Sequence, residues 1–532
     1  MRALLVSPQF PRNMWTYERA LALIKRKSAL PPLSLVTVAA LLPEDWEFKL
    51  IDRNVRAATE AEWDWAEIVL ISAMTAQKED FLAQIREAKR RGKRVAVGGP
   101  YPTTLPDEVQ AAGPDYLVLN EGELTIPPFL AALRRGEPSG RFSANGAFAD
   151  LTQSPVPRFE LWDLSAYDTL SVQFSRGCPF QCEFCDVTAI YGRRARAKTP
   201  AQLLRELDKL WKLGWNRYVF MVDDNFVGNR ANARGLLQEL QRWQKEHGYP
   251  YYFQTEASVD LANDQELLDL MVVCNFNTVF LGVETPDQAS LTAAHKTQNT
   301  RRSLDEAVEK ITRAGLCVMG GFIIGFDGEQ SGAAERIYEF VERNAIPTTL
   351  FSMLQALPHT ALWHRLRQEG RLIGEDARLN QDTLMNFIPT RRIQEVASEY
   401  VQTMWKLYDP CRFIDRTYRH FLMLGPPRWQ PPDRIRVKRG WSEIRALLTM
   451  CWRQGVKRNT RWKYWHHLFS LLRRNPRVVG HYICVSAHIE HFLWYRQETR
   501  RKIEAQLAAG LPQALGCQEG DNSGALIASR TL

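Results

Sequence analysis

Residues 175–200 of the sequence read SRGCPFQCEFCDVTAIYGRRARAKTP. Three of the nine cysteines stand within eight residues of this stretch, at Cys178, Cys182 and Cys185, in the spacing C-x3-C-x2-C. Three thiolates on one loop can each hold one iron of a four-iron cluster and leave the fourth iron without a protein ligand. The spacing therefore predicts a [4Fe–4S] cluster with one open iron, held by these three cysteines.

Two other interpretations of the same cysteines stay open at the level of sequence. A structural zinc site needs four ligands, and the nearest further candidates along the chain are His247 and Cys274. Both are distant in sequence, although folding can bring a distant residue close. The cysteines can also be unrelated core residues, an interpretation that their clustering disfavours.

The segment CPFQCEFC, with Phe184 directly before the third cysteine, resembles the cluster-binding loop of the radical S-adenosylmethionine (SAM) enzymes. In that family the open iron binds the amino and carboxylate groups of SAM, and electron transfer from the cluster cleaves SAM to a 5′-deoxyadenosyl radical. The resemblance implies a [4Fe–4S] cluster and SAM as cofactors. It also implies an external electron donor of the flavodoxin or ferredoxin type.

Residues 169–375 alternate between β-rich and helical patterns, with six predicted strands at 170–175, 217–222, 251–255, 278–283, 316–324 and 348–354. This order resembles the partial (β/α)6 barrel of radical SAM cores, and barrels of this kind bind ligands at the carboxyl ends of their strands. The resemblance implies the following SAM contacts: Phe184, Asp223, Asp224, Glu256, Glu284 and Gly325. Carboxylates suit SAM because its ammonium and ribose hydroxyls donate hydrogen bonds. The catalytic residues are unknown from the sequence.

Residues 1–140 show strands alternating with helices, which predicts an α/β fold with a Rossmann-like, doubly wound parallel sheet. Such sheets bind ligands at the carboxyl ends of their strands. In its order of elements this region resembles the cobalamin-binding (B12-binding) domain that precedes many radical SAM cores. The resemblance implies cobalamin contacts in the turns after the predicted strands: Ser72, Met74, Thr75, Gly98, Gly99, Pro100, Glu121 and Gly122.

One departure from the cobalamin domains concerns histidine. Many of them ligate cobalt with the histidine of a D-x-H-x-x-G motif, but here Asp52 is followed by Arg53 and Asn54, and residues 1–150 contain no histidine. We therefore expect a lower cobalt face bound by water, by a non-histidine side chain or by nothing. The alternative is a domain that has kept the fold and lost the cofactor.

The remaining segments are predicted from composition. Residues 141–168 are rich in small residues and proline, as in an interdomain linker. Residues 376–510 read as a basic helical C-terminal domain, and residues 511–532 as a disordered tail. Most of the basic residues after the cysteines, which are Arg193, Arg194, Arg196 and Lys198, are expected to be solvated. The alternative for one or two of them is a pair with the carboxylate of SAM or with cofactor side chains.

The C-terminal region is strongly basic. Residues 412–502 contain 21 Lys and Arg against 5 Asp and Glu, a net charge of +16 within a chain whose total is +9. Tryptophans interleave with these cations: Trp429, Trp441, Trp452, Trp462, Trp465 and Trp494. Cations with indoles suit peripheral contact with a membrane surface. A solvated basic face over a Trp-containing core and a nucleic-acid surface are alternatives, and nucleic acid is the least favoured.

The sequence favours a cytoplasmic protein, with peripheral contact at the inner membrane surface. Pro8 and Pro11 interrupt the first apolar run, which predicts a strand rather than a signal peptide. The sequence contains no run of about 18 apolar residues, so no membrane span is predicted. An exposed cluster loop also requires a reducing compartment.

The order of cobalamin-like domain, radical SAM barrel and helical tail resembles the cobalamin-dependent radical SAM enzymes. Within them, QFSRGCPFQCEFCDVTAIYG, FIIGFDGE and FSMLQALPHTALWHRL resemble the subgroup that contains hopanoid C-2 methylases. The resemblance implies a methyltransferase acting on an unactivated carbon of a lipid-like substrate, such as a hopanoid, or of another secondary metabolite.

Three alternatives to a methylase stay open. They are an oxidative cyclase or rearrangement enzyme of the tetrapyrrole type, a methylthiotransferase, and a non-methylating cofactor-binding protein. Methylthiotransferases usually carry further cysteines for a second cluster in the N-terminal domain, and residues 1–150 contain none.

Overall fold

A computed structural model describes residues 1–373, 381–424 and 441–510 of the chain. Some sequence-based predictions concern residues outside these three ranges. The predicted disordered tail, residues 511–532, lies outside the described residues, as do Trp429 and the first residues of the predicted C-terminal domain, 376–380.

The first sheet is parallel throughout and has the strand order β2-β1-β3-β4-β5-β6. Its strands are β1 (Arg2–Ser7), β2 (Glu47–Asp52), β3 (Ile68–Ser72), β4 (Arg94–Gly98), β5 (Tyr116–Val118) and β6 (Gly140–Phe142). Side chains alternate along β1, so that Leu4 and Val6 join one buried face while Ala3 and Leu5 join the other. Both faces are covered by helices, which explains why the strands are continuous apolar runs.

The helices of this region follow the strands in the doubly wound order that the sequence predicts. They are α1 (Glu18–Leu21), α2 (Leu33–Leu41), α3 (Glu60–Trp65), α4 (Lys78–Arg90), α5 (Pro100–Thr104), α6 (Pro106–Ala111) and α7 (Gly122–Arg134). The strand order reverses between β1 and β3, which makes their carboxyl ends the topological switch point of the sheet.

The predicted linker, residues 141–168, differs from expectation because it is packed. Its first residues belong to β6, which pairs in parallel with β5. Short 3-10 helices follow, and Phe159 and Trp162 are buried in the same core as the barrel. Glycine and proline are frequent here and indicate a flexible connection, but these two aromatic side chains fix the segment against the next domain.

The second sheet is also parallel and has the order β14-β13-β12-β11-β10-β7, so each strand lies beside the one before it. Its strands are β7 (Thr169–Val172), β10 (Tyr218–Met221), β11 (Tyr252–Ala257), β12 (Phe276–Glu284), β13 (Cys317–Ile324) and β14 (Thr348–Met353). Between β7 and β10, the short strands β8 (Ser175–Arg176) and β9 (Arg196–Ala197) form a separate antiparallel ribbon. The partial (β/α)6 barrel is confirmed.

The barrel helices begin at residues that the sequence marks. They are α8 (Val187–Tyr191), α9 (Pro200–Lys212), α10 (Arg230–Glu246), α11 (Gln265–Val273), α12 (Gln288–Ala293), α13 (Leu304–Ala314), α14 (Ala333–Arg343) and α15 (Ala361–Gln368). Thr199 caps α9 by accepting a hydrogen bond from the backbone N–H of Gln202, and Pro200 occupies the first helical position.

The C-terminal region is helical, as predicted, and packs directly on the barrel. Its helices are α16 (Ile393–Leu407), α17 (Pro410–Leu424), α18 (Trp441–Trp452), α19 (Arg461–Arg474), α20 (Val479–Ala487) and α21 (Ile489–Ala508). The hydroxyl of Tyr400 donates to the carbonyl of Phe351 in β14 at 3.1 Å, and the hydroxyl of Tyr408 accepts from the N–H of Thr349 at 3.2 Å. Barrel and helices therefore share one core.

The segment between β1 and α2 reaches across to these C-terminal helices. His491 Nε2 lies 2.8 Å from the carbonyl oxygen of Asn13, and Leu23 packs against Met450 of α18. The first residues of the chain are thus tied to the last described helices. Within the described ranges, no helix is both long enough and apolar enough to cross a bilayer.

Candidate functional site

The cysteine loop begins where β7 ends, at the carboxyl edge of the barrel sheet. The β8–β9 ribbon closes the loop at its base. Gly177 follows β8 with a φ of 90°, and a Cβ atom there would lie 2.5 Å from the carbonyl oxygen of Arg194. Glycine is required at this position, because other residues rarely adopt this backbone conformation and would collide with the opposite side of the loop.

Two aspartates after β10 hold the start of this loop. Asp223 accepts hydrogen bonds from the backbone N–H groups of Phe174 and Ser175, both at 2.8 Å, and from the Ser175 hydroxyl at 2.6 Å. Asp224 accepts from the N–H of Gly177 at 2.7 Å. The sequence predicts Asp223 as a SAM contact, but both of its carboxylate oxygens bind the loop. Its role in the structure is to anchor the segment that leads to the cysteines.

The three cysteine residues of the loop are partly exposed. Amide groups from two other elements approach their sulfur atoms. Asn225 Nδ2 lies 3.9 Å from Cys178 Sγ, and Gln298 Nε2 lies 3.5 Å from Cys182 Sγ. Weak donors of this kind stabilise negative charge on cluster sulfurs and tune cluster potentials, which suits a thiolate-bound cluster.

The residues fit a [4Fe–4S] cluster better than a single metal ion. Among the residues that the structure describes, no three His, Cys, Asp or Glu side chains gather where they could hold one ion. A cluster does not need such a point, because each of its cysteines binds a different iron. Burial raises the pKa of the Cys178 and Cys185 thiols. The positive charge of bound iron is therefore what would keep these thiols ionised.

Phe184, the aromatic residue of the motif, contacts both an aromatic ring and a buried cation. Its ring centroid lies 5.8 Å from that of Phe326 and 5.8 Å from Lys296 Nζ. Lys296 Nζ also lies 2.6 Å from Glu284 Oε1, and both side chains are buried. Glu284 is a predicted SAM contact that the structure finds already ion-paired. Lys296 follows α12, and no motif in the sequence indicates it.

Glu256 is a predicted SAM contact whose carboxylate has no cationic partner among the described residues. It lies near the carboxyl end of β11, close to Asp223 and Asp224, and it forms no ion pair within the described part of the chain. Burial, and to a lesser extent the negative charges of Asp224 and Asp223, raise the pKa of Glu256 to about 7. A partly buried acid beside two others favours a bound cation, so this group fits the ammonium of SAM.

Packing within the protein explains why position 325 is a glycine. Its φ is 101°, and a Cβ atom would lie 2.6 Å from the side chain of Met385. Its N–H donates to Glu329 Oε2 at 2.9 Å. The glycine lets the turn after β13 lie against residues 381–390, and the predicted contact with SAM stays a prediction.

At the carboxyl edge of the first sheet, the predicted cobalamin contacts after β3 and β4 lie together. Gly99 has a φ of 98°, and a Cβ atom there would lie 2.7 Å from Ser72 Oγ and 2.9 Å from the Ala73 carbonyl. Pro100 begins α5, Thr75 begins a 3-10 turn, and Met74 is exposed. Small residues beside an exposed thioether leave room for a large flat ligand, so this edge fits cobalamin.

The predicted contacts in the third turn have protein partners instead. Glu121 Oε1 lies 3.0 Å from Arg176 Nη1 and 2.9 Å from Arg196 Nη1, while Oε2 accepts from the N–H of Ala149 at 2.8 Å. Gly122 packs on α2. The Glu121 carboxylate is 2% exposed and faces the cluster loop. The prediction that it contacts cobalamin is therefore not supported by its hydrogen bonds.

A second ion pair completes this contact between the domains. Glu123 Oε1 lies 2.9 Å from Arg176 Nη2 and accepts from the Ser154 hydroxyl at 2.7 Å. Burial alone would raise the pKa of Glu123, but the guanidinium of Arg176 outweighs it and lowers the pKa to about 2. We call Glu121, Glu123, Arg176 and Arg196 the interdomain clamp. Arg176 stands two residues before Cys178, so the clamp ties the cluster loop to the first sheet.

Two basic residues after the cysteines differ from the expectation of a solvated turn. Arg196 belongs to the clamp, and Lys198 is buried, with its Nζ 2.5 Å from Glu206 Oε1. The sequence displays these charges but not their partners, because Glu121 is 75 residues from Arg196. Asn225, Gln298, Lys296 and the clamp arginines are the site residues that sequence reasoning missed.

Profiles of known families match three segments of the chain. The B12 binding domain matches residues 19–130 and the radical SAM superfamily matches residues 172–341. A domain of unknown function, DUF4070, matches residues 360–505. The first two matches contain the two sheet edges described above.

Two curated relatives align with nearly the whole chain. An uncharacterized methyltransferase of Synechocystis sp. (strain PCC 6803) is 58% identical over 508 residues, which cover 95% of this chain and 94% of the relative. The hopanoid C-2 methylase of Rhodopseudomonas palustris (strain TIE-1) is 33% identical over 512 residues, 94% of each chain.

Solved structures share the fold at low sequence identity. The cobalamin-dependent SAM radical enzyme OxsB, with aqua-cobalamin and SAM bound, aligns with a TM-score of 0.58 and 15% identity over 96% of this chain and 81% of its own. The radical SAM methyltransferase TsrM from Kitasatospora setae, with cobalamin and a [4Fe–4S] cluster bound, aligns with a TM-score of 0.56 and 17% identity over 95% and 99%.

Proposed function

The chain belongs to the family of cobalamin-dependent radical SAM methyltransferases, and from that premise we propose that it methylates an unactivated carbon of a polycyclic lipid of the hopanoid type. The observation that carries the substrate class is the 33% identity to a hopanoid C-2 methylase over 94% of both chains. Transfer of a methyl group itself follows from the family, and the oxidative cyclase alternative loses its support.

The proposed division of labour assigns each cofactor to its own residues. The bound cluster and SAM supply a carbon-centred radical, and bound cobalamin supplies the methyl group. Cys178, Cys182 and Cys185 would hold the cluster, and Glu256 with Asp224 would accept hydrogen bonds from the SAM ammonium or ribose. The turn at Ser72 and Gly98–Gly99 would lie against cobalamin. The chain's contribution is to align these groups and exclude water.

A recess beside the cysteine loop supports an apolar substrate. The recess is small, it is partly open to solvent, and Phe184 forms part of its wall. Its apolar lining comes from Phe184, Ala293, Ala294, Phe326, Leu354 and Leu362. Arg365 is its one basic lining residue, and it pairs with both acidic ones, Glu183 at 2.5 Å and Asp327 at 2.7 Å.

That pairing supports an apolar substrate over a charged one. Because Arg365 pairs with Glu183 and Asp327, and Arg371 also pairs with Asp327, the recess offers a substrate hydrocarbon contacts rather than free charges. A carboxylate-rich tetrapyrrole would need cations that this lining has already neutralised.

The test is a labelling experiment on the full chain. The protein is reconstituted anaerobically with iron, sulfide and cobalamin, reduced, and incubated with methyl-labelled SAM and either a pentacyclic triterpenoid or a bacteriochlorophyllide-type tetrapyrrole. We expect label in the triterpenoid, at a carbon that carried only hydrogen and carbon. Label in the tetrapyrrole and none in the triterpenoid would overturn the substrate class. Omission of cobalamin serves as the control and should abolish transfer.

We also propose that a flavodoxin- or ferredoxin-type protein supplies the electron. The loop cysteines are partly exposed, so an external donor can approach the cluster. Turnover with a reduced flavodoxin in place of a chemical reductant tests this, and no turnover with either protein class would contradict it.

A further inference from the structure

Helix α18 presents a row of large apolar side chains to solvent. The row is Trp441, Ile444, Leu448 and Trp452, spaced three or four residues apart, so it lies along one face of the helix. Trp441 is 82% exposed and Leu448 is 62% exposed. An isolated exposed leucine needs no explanation, but a continuous row of this size indicates a contact surface.

Helix α19 carries a second row of the same kind. Trp462, Phe469 and Leu472 are exposed at spacings of seven and three residues, and Trp462 is 77% exposed. Val456, in the π-helical turn Arg453–Lys457 that joins the two helices, is exposed as well. We call these residues the tail patch: Trp441, Ile444, Leu448, Trp452, Val456, Trp462, Phe469 and Leu472.

The opposite faces of both helices are already packed. Met450 of α18 is buried against Leu23, and Tyr464 and Leu471 of α19 are fully buried in the main core. A helix that is apolar on two faces normally packs against other groups on both faces. The described residues cover one face of each helix and leave the tail patch bare.

The surroundings of the tail patch are basic. Residues 441–477 contain nine Lys and Arg and one acidic residue, Glu443. Some of these cations have acidic partners, as Arg453 and Arg458 do with Glu490. Six have none among the described residues: Arg445, Lys457, Arg461, Arg473, Arg474 and Arg477. The exposed hydrocarbon of the tail patch therefore lies on a segment of the chain that carries uncompensated positive charge.

We propose that the tail patch docks on the surface of a bilayer that contains anionic phospholipids, with its apolar side chains at headgroup depth. Free cations attract phosphate headgroups, indoles prefer the interface, and Ile444, Leu448 and Leu472 gain from contact with acyl chains. A nucleic acid would match the charge but offer no hydrocarbon, and a second copy of this chain would bring the same positive charge. Trp465 is half-buried and stacks on Phe469, so a Trp-containing core explains that tryptophan instead.

This inference goes beyond the proposed function and does not rest on it, because vesicle binding requires no substrate and no turnover. The full-length protein is sedimented with vesicles of phosphatidylcholine alone, or with 30% phosphatidylglycerol. We expect binding to the anionic vesicles, weakened by salt, and at least about tenfold weaker binding to the neutral ones.

Two variants separate the contributions of hydrocarbon and charge. The triple variant Trp441→Gln, Leu448→Gln and Trp462→Gln should lose at least about tenfold in affinity for anionic vesicles. Lys457→Gln with Arg461→Gln should lose about fivefold for each cation removed. All the altered side chains are outside the core, so circular dichroism and iron content should match the wild type.

A matched control uses an exposed tryptophan elsewhere. Trp211→Gln, on the barrel helix α9, removes an indole that is also exposed and should bind vesicles like the wild type. The proposal is overturned if the wild type does not sediment with anionic vesicles, or if the triple variant binds as tightly as the wild type. It is also overturned if the wild type forms dimers without vesicles that the triple variant cannot form, because the tail patch would then be a subunit interface.

Discussion

The two large sheets of this protein are both parallel and six-stranded, but they are wound differently. In the first sheet the strand order reverses between β1 and β3, whereas in the barrel each strand lies beside its predecessor. A reversal opens a crevice at the sheet edge, while winding in one direction curls the strands around a shared concave side. The same alternation of strands and helices therefore produces two kinds of cofactor site.

The residues at the two edges differ in charge as well as in shape. The edge of the first sheet offers Ser72, Gly98 and Gly99, which are small and neutral, whereas the barrel edge offers Asp224 and Glu256, which are acidic and partly buried. Neutral small residues suit a large flat ligand, and partly buried acids suit a cation. The interdomain clamp joins the two edges. Variants at either edge and in the clamp can therefore show which effects stay at one edge and which reach the other.

Removal of Cys182 should have the largest effect and should affect the barrel edge alone. A Cys182→Ala variant leaves two thiolates for a cluster that needs three. We expect loss of bound iron and of methyl transfer, with cobalamin still bound, measured by iron assay, cobalamin absorbance and labelled product. Cys411→Ser, at a partly exposed cysteine of α17, is the control and should keep its iron. Full iron content in Cys182→Ala would refute the cluster assignment.

A break in the interdomain clamp should have the second largest effect, because the clamp connects the two sheet edges. Arg176→Met leaves Glu121 and Glu123 as buried carboxylates without this partner, and loss of one member of a buried pair costs about 3–5 kcal/mol of unfolding free energy. Anaerobic urea unfolding measures this loss, and reconstituted iron content reports on the loop. Arg90→Met breaks an exposed pair with Glu87 and should leave the curve near wild type. Equal curves for both variants would show that the clamp does not stabilise the protein.

At the barrel edge, Glu256→Gln should weaken SAM binding without loss of the cluster. The wild-type carboxyl has a pKa of about 7, so it is largely neutral at pH 6 and ionised at pH 8. Affinity for the SAM cation should therefore rise with pH across this range, and Asp224, whose pKa is about 6, should keep a weaker slope in the variant. At pH 8 we expect about 10–100-fold weaker binding, as for one charge-assisted hydrogen bond.

Calorimetry of SAM binding to the reconstituted protein makes this measurement. Glu266→Gln, at an exposed acid in the first turn of α11, is the control and should bind SAM like the wild type at both pH values. An unchanged pH slope in Glu256→Gln would mean that another group sets it.

The smallest effect is expected at the first sheet. Gly99→Ala places a methyl group against Ser72 Oγ and the Ala73 carbonyl in a strained backbone, at a cost of about 1–3 kcal/mol. We expect less bound cobalamin, read from its absorbance, with iron content unchanged. Gly113→Ala has a similar φ of 80° but open space around it, so it isolates the strain from the clash. Equal cobalamin in both variants would argue that the turn does not contact the cofactor.

The strands and the cysteine loop could be predicted from the sequence, because each of them depends on residues that are close together in the chain. The apolar runs that become β1 and β13 need only burial, and the cysteine spacing depends on one loop. The partners of Glu121 and Glu284 did not follow, because each lies on another element: Arg176 is 55 residues away in sequence. Three-residue β6 was missed for a related reason, since it exists only by pairing with β5. Ion pairs between domains have no periodic signature.

The contact between Asn13 and His491 has a consequence for biosynthesis. The two residues are 478 positions apart, and ribosomes add roughly 5–20 residues per second. Residues 8–32 therefore wait roughly 25–95 s for the helices that cover them, while β1 to β5 can already pair. Met14 and Leu23 are buried in the finished protein and would be exposed during that time. Chaperone binding to nascent chains should accordingly concentrate on this early segment, and a chain truncated before α18 should depend on chaperones throughout.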